Sequence, residues 1–446
     1  MPERQESNTL RTSMASPRLA FTMIGRSLRS SFVQGVLLVS SGQILGAVIQ
    51  VLAAPLLGRL YTPQDYGVLG GYMAVATVLA AIANWQLSQG IVVERRNNKA
   101  AALYRACKRA TLITSVIACG IALLLLGWSY AIRGDGITWW YLVLPVSTFV
   151  GGSCATLSSL ANRQGVYRRI AVVLVLPVAI SVAISITLGW MNWGATGLFI
   201  AYFTGQLMTL GMYLAMVPRL PERSAANSPK RAAAMLHKYR RFAIYTTPTM
   251  FLSSFSMNAP IFALTGLGAM STVGLFSRAN QLLSLPVQLI GSSVAQVFQR
   301  RAAIQYHETG NCWPIYRSTF LSLIVLGAIP AALLGLFAPV LFSWFLGPNW
   351  TDAGYLARIL APVLLLRVVC SPLSTVFYIT GRQREDFFLS LAMSILTIVC
   401  IAIGIALGRG GEYVVVGFAI GQFTMYSVFL LRSSYHALPS RRGALG

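Results

Sequence analysis

The sequence predicts an all-α polytopic membrane protein, with about twelve transmembrane helices in two pseudo-repeated six-helix lobes. Three observations carry this: an apolar composition, a series of span-length apolar segments, and a one-sided distribution of basic residues between them. Of 446 residues, 56% are hydrophobic and 10% charged, with a mean hydropathy of +0.65. Ordinary soluble domains carry about 25% charged residues. The net charge of +24 could suit a nucleic-acid binder, but that class needs basic residues gathered on a soluble face. Here they form short islands between apolar runs, so nucleic acid is excluded as a partner.

A transmembrane helix needs about 20 mostly apolar residues. That window places spans near 33–58, 68–92, 111–131, 138–161, 170–190 and 195–217, then near 243–267, 272–298, 318–345, 359–380, 387–408 and 413–431. Basic loops stay in the cytoplasm. With this count, only Arg59, Arg133, Arg358 and Arg409 fall on the external side, and only Arg278 and Arg367 fall inside spans. All other lysines and arginines share the opposite side, so both termini are assigned to the cytoplasm. The first 30 residues lack a long apolar core and read as a tail, not a signal peptide.

The longest basic loop falls at the midpoint and divides the chain. The expected organisation is a cytoplasmic tail over 1–31, a first lobe over 32–218, a basic cytoplasmic linker over 219–242, a second lobe over 243–432 and a cytoplasmic tail over 433–446. The halves repeat weakly: DYGVLGGYMA and TVGLFSRANQ open spans 2 and 8, aligning Gly67 with Gly274 and Gln89 with Gln296. Six spans per half give the two lobes parallel topology, the arrangement of transporters whose site lies between lobes near the midplane.

All eleven acidic residues fall in tails or loops, which leaves Arg278 and Arg367 as the ionisable groups inside spans. An arginine in hydrocarbon costs about 2.5–3.5 kcal/mol on insertion scales. Arg278, near the external end of span 8, could snorkel to the interface; Arg367, deeper in span 10, could cap carbonyls freed by Pro362 or Pro372. The other reading is that both face a wet cavity and bind an anion.

Spacings of three and four put Arg278, Gln281, Leu285, Gln288, Ser292 and Gln296 on one stripe of span 8. Span 1 repeats the pattern with Ser40, Gln43, Ala47 and Gln50; span 2 adds Asn84, Gln86 and Gln89, and span 7 adds Ser253, Ser254, Ser256 and Asn258. Singly, such residues serve interhelical hydrogen bonds; together beside an arginine they predict a cavity. The candidate substrate-binding set is Arg278, Arg367, Gln281, Gln288, Gln43, Gln50 and Asn258.

Thr62, Pro63 and Asp65 form a capping pattern at the start of span 2, so Asp65 is read as structural. His237, His307 and His436 are scattered without metal-site spacing, and no cysteine lies in an external segment, so neither a metal centre, a cofactor nor a disulfide framework is expected.

Three stretches, LGRLYTPQDYGVLGGYMA, VGLFSRANQLLSLPVQLIGSSVAQVFQRRAA and GPNWTDAGYLARILAPVLLLRVVCSPLSTVFYITGRQRE, resemble the Wzx-type lipid-linked oligosaccharide flippases of lipopolysaccharide and exopolysaccharide biosynthesis. These belong to the multidrug/oligosaccharidyl-lipid/polysaccharide exporter superfamily. The resemblance implies two facing lobes in a bacterial inner membrane and a cationic cavity that carries an undecaprenyl-diphosphate-linked glycan outward by alternating access. It also implies working partners: membrane lipids, a glycan polymerase and other assembly proteins. Two other functions fit the sequence less well. A cation-coupled multidrug exporter would want a carboxylate within its spans, and a glycan polymerase or ligase would want a sizeable external loop; this sequence offers neither.

Overall fold

The computed structural model describes residues 31–94, 96–133, 136–218, 235, 238–240, 242–408 and 410–438. Most of the linker and both chain ends, including His237, lie outside them. Twelve long helices run through the described residues: α1 (Ser31–Leu60), α2 (Pro63–Ile82), α3 (Asn97–Arg133), α4 (Leu144–Gln164), α5 (Tyr167–Trp190), α6 (Gly194–Met216), α7 (Thr247–Gly266), α8 (Met270–Thr309), α9 (Trp313–Leu346), α10 (Thr351–Leu373), α11 (Gln383–Leu407) and α12 (Gly411–Ala437). Ten regions of the described residues are long and apolar enough to cross a membrane; α7, whose serines and Asn258 dilute its apolar signal, is not among them, and neither is α8, several of whose side chains lie outside the described residues.

Local chemistry sets the helix ends. At α2 the Thr62 hydroxyl accepts from the Asp65 amide at 3.2 Å, and Asp65 Oδ2 accepts from the Thr62 amide at 2.9 Å, a complete capping box with Pro63 in the first turn. Past Ile82 the chain breaks before resuming as Ser88–Val93, with Trp85 and Gln86 in the left-handed region at φ 51° and 54°. Gln86 repairs the break: its Nε2 donates to Ala81 O at 2.7 Å, and its amide donates to Asn84 Oδ1 at 3.0 Å. Asn84 and Gln86 thus satisfy interrupted backbone, as irregular structure at membrane depth requires.

The repeat is visible in the packing. Within the first lobe α1 packs on α5, α5 on α6, α3 on α4, α2 on α4 and α4 on α6; every pair recurs six helices later as α7 on α11, α11 on α12, α9 on α10, α8 on α10 and α10 on α12. The lobes meet mainly through α2 against α8. A Cβ added at Gly67 would lie 1.9 Å from Met270 O, and one at Gly274 would lie 1.7 Å from Pro63 O. The register that aligns Gly67 with Gly274 also aligns Pro63 with Met270. The contact is therefore reciprocal, the mark of a two-fold-related interface.

Beside this crossing Gly58 packs on the Leu346 backbone, and Trp350 Nε1 donates to Gly58 O at 2.7 Å. All these contacts lie where α1 ends and α2, α8 and α10 begin. This is the end that the basic-residue count assigns to the outside, and it is sealed.

At the opposite end the linker is tied to the first lobe. Glu94, 7% exposed, accepts hydrogen bonds from Lys238 Nζ at 2.8 Å and Tyr239 OH at 2.9 Å. Arg163 braces the same corner, donating to Ile91 O at 3.0 Å and Asn97 Oδ1 at 2.9 Å. The hydrogen bond from Lys238 holds the Glu94 carboxyl down at about 2. Because the folded value lies below the ordinary carboxylate range, the stabilisation is complete above that range and is lost progressively as pH falls from it to about 2. We expect trypsin to cut the linker several-fold faster in Glu94→Ala than in the unaltered protein, by the same ratio at every pH from 5 to 8, the ratio cancelling trypsin's own pH dependence. A ratio that changes across this window would contradict the assignment.

Candidate functional site

Between the lobes, behind the seal, lies a cavity of about 490 Å³, within the range of small-molecule sites. Gln50 of α1, Tyr66 of α2, Asn258 of α7, and Arg278 and Gln281 of α8 line it; no described acid does. Helical spacing explains the α8 wall, because positions 277, 278 and 281 share one face.

Arg278 is 5% exposed. Its guanidinium stands over the Tyr66 ring, 4.9 Å from the centroid, a cation–π arrangement. Its Nη1 donates to Gln281 Oε1 at 3.0 Å, and Gln281 Nε2 donates on to Gln50 Oε1 at 3.4 Å. Nε and Nη2 have no hydrogen-bond partner, and neither do the nearby Ser277 Oγ and Tyr66 OH. Leaving buried donors of a charged group unpaired costs at least about 1–3 kcal/mol. The arrangement is a planar pair of donors on a fixed positive charge, suited to a two-pronged oxyanion such as a phosphate.

The candidate residues divide. Arg278, Gln281, Gln50 and Asn258 converge on the cavity. Asn258 Nδ2 is engaged with Ser254 O at 2.8 Å, which leaves its carbonyl oxygen to face other groups. Gln43 lies on α1 two turns before Gln50, is exposed and does not line the cavity, because the stripe that carries both follows the α1 surface past the edge of the lobe contact. Gln288 is helical within α8, but its side chain lies outside the described residues, as do those of Ser292 and Gln296.

Arg367 does not join Arg278. It lines a separate chamber of about 290 Å³ inside the second lobe, among Ser253, Ser256, Ser371, Ser390 and Asp386. Its Nη1 donates to Ser284 Oγ of α8 at 3.3 Å, so a neighbouring helix, not a proline-freed carbonyl, receives this hydrogen bond. Asp386, expected in a loop, stands in the first turn of α11 and shares the chamber. The reading of two arginines in one acid-free cavity is corrected accordingly. Depth along a helix was legible in sequence; the face turned toward the partner lobe was not.

Tyr66 was missed by sequence reading. The signal available was its place in YTPQDYG, one turn beyond the cap and next to the repeat glycine Gly67. Its edge meets Trp350 of the second lobe, with ring centroids 5.4 Å apart at 78°. It therefore touches the cavity through Arg278 and the seal through Trp350.

Known proteins share this architecture. The chain superposes on the inward-facing conformation of a multidrug resistance MATE family transporter of the MOP superfamily with a TM-score of 0.73 at 16% identity, covering 90% of this chain and 98% of that one. Against an outward-facing conformation of such a transporter the TM-score is 0.62 at 17% identity, covering 90% and 95%. A MOP superfamily transporter from Pyrococcus furiosus gives 0.62 at 16% identity, covering 92% and 97%. These likenesses establish the fold, and the ten regions long and apolar enough to cross a membrane make this a multi-pass membrane protein.

In sequence the chain is 22% identical over 367 residues to the succinoglycan biosynthesis transport protein ExoT of Rhizobium meliloti (strain 1021), covering 80% of this chain and 71% of that protein. The family model described as polysaccharide biosynthesis protein matches residues 56–305, from the end of α1 into the last turns of α8, and so includes both helices of the α2–α8 crossing. With the match spanning more than half its length, the chain belongs to the polysaccharide biosynthesis protein family.

Proposed function

We propose that this protein is a flippase that moves an undecaprenyl-diphosphate-linked oligosaccharide, an O-antigen or exopolysaccharide repeat unit, from the cytoplasmic to the periplasmic leaflet of a bacterial inner membrane. The observation that carries the reading is the unpaired Nε and Nη2 of the buried Arg278 in a cavity between two lobes. Such a guanidinium is a receptor for a diphosphate. With both termini cytoplasmic, the sealed end is periplasmic and the cavity opens to the leaflet where the substrate is assembled. The higher TM-score against the inward-facing relative supports that assignment.

The transport cycle follows from alternating access. The glycan and diphosphate enter the polar cavity from the cytoplasm, and the diphosphate meets Arg278 while the polyprenyl chain stays in the bilayer. The α2–α8 crossing then parts, the cytoplasmic side closes, and the head group leaves toward the periplasm. Gln50, Gln281 and Asn258 are placed to hydrogen-bond the head group on the way. A periplasmic polymerase and other assembly proteins receive the product. The acid-free cavity suits an anionic cargo better than a cationic drug.

Outward movement of negative charge from an inside-negative cell gains about 2.3 kcal/mol per charge per 100 mV. In proteoliposomes we expect an imposed inside-negative potential to accelerate flipping of the lipid-linked substrate by the orientation that exports it. Rates indifferent to potential would count against charge-carrying transport.

A further inference from the structure

Arg278 holds the lobes together with the same group that would hold an anion. Tyr66 belongs to α2 of the first lobe and Arg278 to α8 of the second, so their 4.9 Å cation–π contact bridges the lobes. The Arg278–Gln281–Gln50 relay bridges them again, from α8 to α1. Tyr66 is in turn packed edge-on against Trp350, whose indole donates across the lobes to Gly58 O at 2.7 Å. A cation–π contact draws on the net positive charge that the ring sees. A phosphate oxygen pair on Nε and Nη2 cancels that charge and pulls the guanidinium plane toward the anion, so one contact weakens as the other forms.

We propose that Tyr66 is a positioning residue that competes with the substrate's anion for Arg278, so that anion binding releases the lock on the sealed end. This rests on the diphosphate reading above. It explains why a receptor arginine is seated beside the seal: the group that detects cargo is itself a clasp of the gate. It also prevents opening without cargo, because the clasp is intact until an anion arrives.

Competition fixes the sign of a measurable effect. Coupling is reciprocal, so if anion binding weakens the Tyr66 contact, removing that contact strengthens anion binding by the same factor. A Tyr66 that merely shaped the cavity would do the opposite when removed. The test uses purified full-length protein titrated with inorganic pyrophosphate and, separately, with undecaprenyl diphosphate, which distinguishes a bare diphosphate from a lipid head group.

We expect Tyr66→Leu to bind both probes roughly tenfold more tightly than the unaltered protein, about the effect of a partly desolvated cation–π contact. Restoring a ring with Tyr66→Phe should return affinity toward the starting value, and adding Arg278→Ala to Tyr66→Leu should abolish the gain. Equal or weaker binding by Tyr66→Leu overturns the competition.

A second measurement leaves position 66 untouched. Thr77 lines the cavity, and in a background with the six native cysteines replaced, Thr77→Cys is labelled by a membrane-impermeant maleimide applied at the sealed end. Undecaprenyl diphosphate should raise that rate; an unchanged rate in a protein that binds the probe overturns the release. If neither probe binds any variant yet Tyr66→Leu still raises Thr77→Cys labelling, the lock stands and the diphosphate reading fails.

Discussion

Replacing Arg278 with alanine is expected to reduce glycan export at least tenfold while leaving protein levels in the membrane intact. A hydrogen bond to a charged group contributes about 1.5–3 kcal/mol, which corresponds to roughly 10- to 150-fold in affinity. The fold should survive, because beside the Tyr66 ring the guanidinium engages only Gln281 through Nη1, and its Nε and Nη2 have no partner. Arg278→Lys keeps the charge but not the fork, so it should fall between alanine and the unaltered protein. Complementation of a glycan-export-deficient strain, with membrane protein quantified alongside, makes the measurement. Arg367→Ala provides the contrast: its side chain lines the second chamber and donates to Ser284 of α8, so its loss should weaken the packing of α8 on α10 and lower protein levels. Normal export by both single variants would remove arginine from the transport site altogether.

The second large effect is expected at the crossing of α2 and α8. A methyl group at Gly67 or Gly274 would stand 1.9 or 1.7 Å from a backbone carbonyl oxygen, and backbone in a packed helix cannot swing aside as a flexible side chain can. The helices must separate, and overpacking of this kind costs about 1–3 kcal/mol. That moves the balance between sealed and opened conformations by roughly one to two orders of magnitude. Gly67→Ala and Gly274→Ala should both raise maleimide labelling of Thr77→Cys from the sealed end and slow export.

Gly120→Ala is the control, because nothing lies within 4 Å of a Cβ there. Since Gly67 and Gly274 share one gap, separation forced by the first methyl partly accommodates the second. The double variant should therefore show less than the sum of the two effects. Full additivity, or labelling unchanged in both single variants, would show that this crossing does not control access.

Much of the architecture is readable in the sequence. Span-length apolar runs have few alternatives, since backbone in hydrocarbon must satisfy itself within helices. Hence twelve segments became twelve long helices, including α7 and α8, which carry polar residues to the cavity. The Thr62–Asp65 capping box was equally legible, because it spans four adjacent residues. Site residues were legible by type and less so by place. Arg278 and Gln281 share a helical face, and that face does meet the cavity. Gln43 and Gln50 share a stripe of α1 just as plausibly, yet only Gln50 reaches it.

The sequence alone determined the helices, their number, their alternation and the repeat that aligns Gly67 with Gly274. These follow from short-range rules: hydrophobic length, capping and spacing along one helix. Only the tertiary structure decided that the two aligned glycines touch, that Arg278 and Arg367 occupy different chambers, and that Tyr66 clasps Arg278 across the lobes. Those are contacts between residues distant in the chain, made by two rigid bundles whose relative rotation no local pattern encodes. A periodicity of 3.6 residues tells which side chains share a face of one helix; packing alone tells what that face meets.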